Sequence, residues 1–180
     1  MKHLESYFKK QPVIAGLRDQ QALNRALESP AIALFILFGD INMLPDIMQK
    51  ARDHDKLVFL HIDLIKGLAR DKAIISYLAE HNLCDGVVST KNRLIKAAKK
   101  EGLMAIQRLF LLDSAALRTG EQLLGNNQPD AVEILPGIAA PYFIEHVAHQ
   151  PPCPIIAGGL IRERIEVEKL LSRGVFAVST

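Results

Sequence analysis

The chain has 180 residues, of which 49% are hydrophobic and 23% charged, and its formal net charge is +2. These values are typical of a globular protein that buries a full core, so we predict one domain over residues 1–180. They exclude a strongly acidic or strongly basic protein. The apolar runs fall short of the roughly 20 residues that cross a bilayer, and the N-terminus lacks an apolar signal core. We therefore expect a cytoplasmic protein with no membrane partner.

The two cysteines, Cys84 and Cys153, lie far apart in the sequence. Neither belongs to a metal-ligand spacing, and they imply no disulfide framework. We therefore expect no metal site and no cofactor.

Eight short apolar runs recur along the chain and predict strands. The runs are Val13–Leu17, Ala31–Phe38, Leu57–Ile62, Gly86–Val88, Met104–Phe110, Ala131–Leu135, Pro154–Ala157 and Val175–Val178. They are continuous rather than alternating, which is typical of strands buried on both faces of a parallel sheet. Helical patterns separate them: Asp19 to Glu28, Asn42–Arg52, Lys72–Glu80, Lys91–Lys100, Ser114–Leu124, Pro141–His149 and Glu163–Leu171. This alternation implies right-handed strand–helix–strand crossovers.

Eight strands in one series predict a compact α/β fold, a (β/α)8 TIM-type barrel with no helix after the last strand. A doubly wound open sheet is the alternative. Its glycine fingerprint is missing, because Ala15–Arg18 at the end of the first strand holds one glycine. Residues 1–10 can form a helix with Leu4, Tyr7 and Phe8 on one side, which we expect to cover the bottom of the barrel.

The last two predicted strands end in residues suited to holding a phosphate. Pro154–Arg162 contains Gly158-Gly159, and the terminal strand ends in Ser179-Thr180. Glycine lets a backbone N–H approach an anion closely, and Ser and Thr add hydroxyl donors. The last two units of a (β/α)8 barrel frequently bind phosphate in this way. We therefore predict a small phosphate ester as ligand.

Seven polar or charged residues and one glycine stand at or near the predicted strand ends, and we expect them to form the rest of a ligand pocket. They are Arg18, His61, Asp63, Lys66, Gln107, Arg108, Glu133 and Gly137. Burying such groups without partners is costly, so they must satisfy one another or the hydroxyls of a ligand. An internal salt bridge, for example between Arg108 and Glu133, is the structural alternative. Arg18 or Arg108 could complete the phosphate cradle by bidentate pairing.

The segment Lys91–Lys100 carries five positive residues and no acid. Its candidate RNA contacts are Lys91, Arg93, Lys96, Lys99 and Lys100, because cations on one helix can meet a phosphate backbone. A solvated helix surface is the alternative interpretation.

From the residues alone, two classes of function stay open. One is a barrel enzyme of the isomerase or lyase type acting on a small phosphorylated triose or sugar, with His61, Asp63 and Glu133 as acid–base groups. The other is a sensor that binds a phosphate ester without turnover. The fold by itself favours neither class.

Five blocks of the sequence resemble the glycerol-3-phosphate-responsive antiterminator family. They are His61–Leu68, Val88–Lys91, Ala105–Ser114, Glu133–Gly137 and Pro154–Arg162. The resemblance implies a barrel that binds glycerol 3-phosphate and then the leader mRNA of a glycerol-uptake operon, preventing premature termination, without catalysis. A homo-oligomer is a further expectation, because a leader hairpin offers a long surface.

The resemblance also suggests roles for the pocket residues. The backbone of Gly158 and Gly159, with Ser179 and Thr180, would hold the phosphate. The glycerol hydroxyls would be taken by Asp63, Gln107 and Glu133, with charge added by Arg18, Lys66 or Arg108.

Overall fold

The computed structural model describes residues 4–127, 129–147 and 153–180. Eight parallel strands close into one barrel in chain order, and β8 pairs with β1. The strands are β1 Val13–Leu17, β2 Ala33–Ile36, β3 Leu57–His61, β4 Gly86–Ser89, β5 Met104–Phe110, β6 Ala131–Leu135, β7 Ile155–Gly158 and β8 Ala177–Ser179. The predicted barrel is thus confirmed, and the open doubly wound sheet is excluded.

The described residues form eight α-helices, one before β1 and one after each of the first seven strands. They are α1 Leu4–Lys10, α2 Gln20–Leu27, α3 Leu44–Asp53, α4 Lys72–Glu80, α5 Asn92–Lys100, α6 Ser114–Asn127, α7 Ala140–His146 and α8 Arg164–Ser172. Short 3₁₀ turns precede α3 and α7. Residues 148 and 149 of the predicted seventh helix, and residues 1–3 of the predicted first helix, lie outside the described residues. None of the described helices is long and apolar enough to cross a membrane.

Side chains near the helix starts fix where several helices begin. Asp19 precedes α2 and accepts a hydrogen bond from the Ala22 N–H at 2.7 Å, as its position in the sequence predicted. Asp71 does the same for α4 through the Ile74 N–H at 3.2 Å. Asp19 follows the end of β1 within two residues, so that loop is short, whereas the loop between β3 and Asp71 is longer.

The barrel interior is filled by alternate residues of the strands. Met104 and Ile106 of β5 belong to the inner core. In the same core the rings of Phe35 and Phe59 pack edge to face, with their centroids 5.6 Å apart. Side chains of a strand alternate between its two faces, so Arg108 also points inward. By the same rule Gln107 points outward, towards the helices.

The first helix packs at the bottom of the barrel, where the strands begin. Leu4 and Phe8 are buried in the inner core cluster together with Leu57 and Met104, the first residues of β3 and β5. This leaves the opposite end, where the strands finish, as the open mouth.

Candidate functional site

A small cavity of about 170 Å³ opens at the mouth, around the ends of β7, β8 and β1. Its lining comprises Gly16, Arg18, Phe35, Leu37, Arg108, Glu133, Leu135, Gly159, Leu160, Ile161, Ser179 and Thr180. Pockets for drug-sized molecules measure about 300–1,000 Å³, so this cavity suits a smaller ligand.

A larger hollow of about 400 Å³ lies at the other end of the barrel, beside Asp85, Met104 and Asp130. These residues stand at or just before the beginnings of strands. Binding sites of this fold are built at the C-terminal ends of the strands, so we place the functional site at the smaller, upper cavity.

A buried network of three side chains forms the floor of the upper cavity. Arg108 Nε donates to Glu133 Oε2 at 2.6 Å, and Ser179 Oγ donates to Glu133 Oε1 at 2.6 Å. Arg108 and Glu133 are register partners on β5 and β6, whereas Ser179 lies two strands away on β8. Both carboxylate oxygens of a fully buried acid are thereby satisfied, as burial of a charge requires.

Gly158 on β7 makes this network possible. It lies between the strands of Glu133 and Ser179, and it is the register partner of Ser179. A Cβ atom at position 158 would stand 2.5 Å from Glu133 Oε1 and 2.7 Å from Ser179 Oγ. Only glycine therefore leaves room for the hydrogen bond that crosses over β7.

The next residues of the predicted phosphate cradle shape the rim. Gly159 has φ +76°, a left-handed conformation that favours glycine, and its carbonyl accepts from the Gly137 N–H at 3.1 Å. Thr180 Oγ1 donates to the Ile161 carbonyl at 2.7 Å. Because the Ser179 and Thr180 hydroxyls both donate within the protein, their hydrogens stabilise the site instead of pointing at a ligand in this state.

Positive charge reaches the cavity from two arginines. Arg18 follows β1 and is exposed, and Arg108 rises from the floor. The Nε of Arg108 is held by Glu133, and among the described residues no hydrogen bond engages its two terminal nitrogens. A guanidinium fixed through Nε and free at its outer edge can pair with an anion in bidentate fashion.

His61 stands next to this charge on the inner face of β3. It is 4% exposed, and its Nδ1 has no hydrogen-bond partner among the described residues. Burial and the positive charge of Arg108 lower the pKa of His61 to about 4, although Asp63 opposes this change. The imidazole is therefore neutral at physiological pH.

Asp63 organises the end of β4 rather than the cavity. Its Oδ2 accepts from Ser89 Oγ at 2.9 Å and from the Thr90 N–H at 3.2 Å. Lys91 Nζ lies 3.5 Å from Oδ1. Burial alone would raise the pKa of Asp63, but these hydrogen bonds, with His61 and Lys91 close by, lower it below its usual value.

Gln107 lies on the opposite face of β5 from Arg108. Its Nε2 donates to the backbone carbonyls of Ser89, Thr90 and Arg108 at 3.1–3.3 Å. Gln107 therefore supports the loop after β4 and stays outside the barrel interior.

The structure thus gathers about half of the predicted pocket into one cavity. Arg18, Arg108, Glu133, Gly159, Ser179 and Thr180 line it, whereas Gly137, Gly158, His61, Asp63, Lys66 and Gln107 do not. Lys66 is exposed and pairs through its backbone with the segment at Asp40. The apolar lining residues were missed, although strand alternation extended from Ile14 and Ala33 would have placed Gly16, Phe35 and Leu37 inward.

The five cations of the predicted basic segment differ in their surroundings. Lys91 pairs with Asp63, and Lys99 Nζ lies 2.7 Å from Asp130 Oδ1 at the bottom of the barrel. Arg93 Nη2 donates to a backbone carbonyl of the neighbouring loop at 2.8 Å. Lys96 and Lys100 are exposed. Among the described residues, no group of three or more acidic, His or Cys side chains could hold a metal ion.

Comparison with known proteins identifies the family. The family described as glycerol-3-phosphate responsive antiterminator matches residues 13–180. The uncharacterized protein YgcP of Escherichia coli K12 is 33% identical over 172 residues, covering 96% of this chain and 90% of YgcP.

Two crystal structures extend the comparison. The glycerol uptake operon antiterminator regulatory protein of Listeria monocytogenes has a TM-score of 0.86 and 33% identity, covering 94% of this chain and 91% of its own. A glycerol uptake operon antiterminator-related protein of Thermotoga maritima has a TM-score of 0.83 and 30% identity, covering 93% of each chain. The chain therefore belongs to the glycerol-3-phosphate responsive antiterminator family.

Proposed function

We propose that the upper cavity binds glycerol 3-phosphate and that the liganded protein binds the leader mRNA of a glycerol-uptake operon, preventing premature termination. The observation that carries this proposal is the cavity of about 170 Å³ that both Arg18 and Arg108 line. Its size suits a small phosphate ester, and its charge suits the phosphate. An mRNA partner implies that the protein works in the cytoplasm.

The cavity offers different surfaces to the two halves of such a ligand. The phosphate fits beside the free edge of Arg108 and the left-handed backbone at Gly159, with Arg18 at the rim. The three-carbon chain fits against Phe35 and Leu135. Glu133 retains free lone pairs that can accept a hydrogen bond from a hydroxyl.

The lining supports binding without turnover. Among the described residues, Glu133 is the one acidic side chain that lines the cavity, and Arg108 and Ser179 already hold both of its oxygens. A general base must be within reach of the proton it removes and free to take it. His61 and Asp63, which the enzyme hypothesis needs, do not line the cavity. These contacts favour the sensor over the enzyme.

The ligand acts as a switch only if it favours the RNA-competent state. A hundredfold gain in RNA affinity corresponds to about 2.7 kcal/mol of coupling, which lies within the usual range for allosteric proteins.

Calorimetry tests the ligand. We expect heat on titration with glycerol 3-phosphate and none with glycerol. Arg18→Met should weaken binding about tenfold or more, whereas Arg25→Met, on the exposed side of α2, should not change it. Equal affinities of the two variants would contradict the placement of the phosphate. A leader-RNA gel shift with and without ligand tests the switch, and RNA binding that ignores the ligand would contradict it.

A further inference from the structure

Resting on the proposed function, we propose that RNA binds to one defined face of the barrel, the mouth-side half of α4 and α5. We name it the basic face; it consists of Arg70, Lys72, Arg93 and Lys96. It differs from the basic segment predicted from the sequence, because it drops Lys91, Lys99 and Lys100 and adds Arg70 and Lys72 from the loop and helix that follow β3.

The fold brings these residues together from two neighbouring units. The helices α4 and α5 follow the adjacent strands β3 and β4, and both begin at the mouth. Arg93 Nη2 donates to the Arg70 carbonyl at 2.8 Å, and Arg70 Nη2 donates to the Asp63 carbonyl at 3.2 Å. These two hydrogen bonds hold both guanidinium groups at the same rim.

The charges of the basic face are available to a partner. Lys72 and Lys96 are exposed, and no hydrogen bond or ion pair to another described residue engages their ammonium groups. Two acids lie nearby: Asp71 caps α4 through the Ile74 N–H, and Asp63 holds the end of β4 and pairs with Lys91. The cations of the face outnumber its exposed acid, Asp71, so the face carries net positive charge that a phosphate backbone can meet.

The excluded lysines have partners or the wrong position. Lys91 is half-buried beside Asp63. Lys99 lies 2.7 Å from Asp130, and Lys100 ends α5, so both belong to the bottom of the barrel. A cation that is already paired gains little from a phosphate, because it must first give up its carboxylate.

Asp63 connects this face to the ligand cavity. Its carbonyl holds Arg70, its carboxylate holds Ser89 and Thr90, and His61 Nδ1 lies 4.0 Å from its Oδ2. His61 in turn is close enough to Arg108 for the guanidinium charge to lower the pKa of the imidazole. An anion on Arg108 therefore changes the electrostatic environment of His61. His61 lies beside Asp63, whose carbonyl holds Arg70 of the basic face.

The test compares two double variants in binding to a glycerol-operon leader RNA with saturating glycerol 3-phosphate. Lys72→Glu/Lys96→Glu reverses charge on the basic face, and Lys9→Glu/Lys10→Glu changes the net charge equally on α1 at the bottom. We expect the first variant to bind RNA at least about tenfold more weakly and its salt slope to fall by about 2, one per lost phosphate contact. The second should stay within about twofold of the unaltered protein.

The outcomes separate this inference from the proposed function. Calorimetry with glycerol 3-phosphate should give the same affinity for both double variants as for the unaltered protein. Full RNA affinity in Lys72→Glu/Lys96→Glu, or equal losses in both variants, would contradict RNA binding at the basic face. Neither result would contradict the proposed ligand site. Failure of the unaltered protein to bind RNA with the ligand present overturns the proposed function, and the basic face with it.

Discussion

The buried network at the cavity floor pairs its charges with one another, whereas the basic face on α4 and α5 exposes its charges to solvent. Inside, Arg108 and Glu133 are almost completely buried, and they lie 2.6 Å apart with Ser179 as a third partner. Outside, Lys72 and Lys96 are exposed, and no hydrogen bond or ion pair to a described residue engages their ammonium groups. Water stabilises an exposed charge without help from the protein, whereas a buried charge must be matched by its neighbours.

The difference shows which charges the fold itself depends on. The interior network is fixed by strand register, so changing it disturbs the barrel together with the ligand site. Lys72 and Lys96 of the basic face are exposed, so we expect them to contribute little to folding and to be free to serve a partner. Variants of the two regions should therefore separate stability from recognition.

Breaking the buried pair should have the largest effect. Glu133→Ala leaves Arg108 charged and unpaired inside the barrel, which costs about 3–5 kcal/mol of unfolding free energy. The exposed pair of Glu145 and Arg173, 2.7 Å apart, is a matched control, because Glu145→Ala should cost less than about 1 kcal/mol. Denaturant titration of both variants measures the contrast. Similar losses would mean that the buried network does not stabilise the barrel.

The neutral His61 should make stability depend on pH. Its folded pKa of about 4 lies below the ordinary value of 6.5, so the unfolded chain binds more protons between these values. Unfolding free energy should therefore fall as the pH drops from 6.5 to 4, by at most about 3 kcal/mol, and level off below that range. Denaturant titrations across this range should show the slope reduced in His61→Asn but kept in His54→Asn, an exposed control.

Asp63 changes stability in the same direction as His61, but over a lower range of pH. Its pKa is lowered in the folded protein, so its contribution is present above the ordinary value of 3.8 and disappears as the pH falls below it. Loss of stability between pH 6.5 and about 5, above the range of the carboxylates, is therefore assigned to His61, and an unchanged slope there in His61→Asn would contradict that assignment.

The sequence was enough to predict the barrel but only part of the site. Continuous apolar runs separated by helical patterns determine a parallel sheet, and eight of them in series close it. Gln107 was placed in the pocket because it is polar within an apolar strand, yet alternation from Met104 and Ile106 puts it on the outer face with Ala105. The hydrogen bond from Ser179 to Glu133 across β7 could not be predicted, since it depends on the register of three strands.

Substitution of Gly158 should lower the unfolding free energy by an amount between those expected for the buried pair and for the basic face. Gly158→Ala adds a Cβ within 2.7 Å of both Glu133 Oε1 and Ser179 Oγ, so one of these side chains must move. We expect a loss of about 1–3 kcal/mol, typical of overpacking. Gly16→Ala is the control on the inner face of β1, where the nearest atom, Thr180 O, would lie at an ordinary 3.5 Å. Thermal or denaturant unfolding should distinguish them, and equal stabilities would show that the network adjusts without strain.

The smallest effect on stability should come from the basic face. Lys72→Glu/Lys96→Glu should change the unfolding free energy by no more than about 0.5 kcal/mol, because neither side chain is buried or engages a described residue. Glutamate at position 72 is also favourable in the first turn of α4. Denaturant titration of this variant beside Lys9→Glu/Lys10→Glu measures it. A loss of several kcal/mol would mean that these lysines support the barrel, and weakened RNA binding could then no longer be assigned to surface charge.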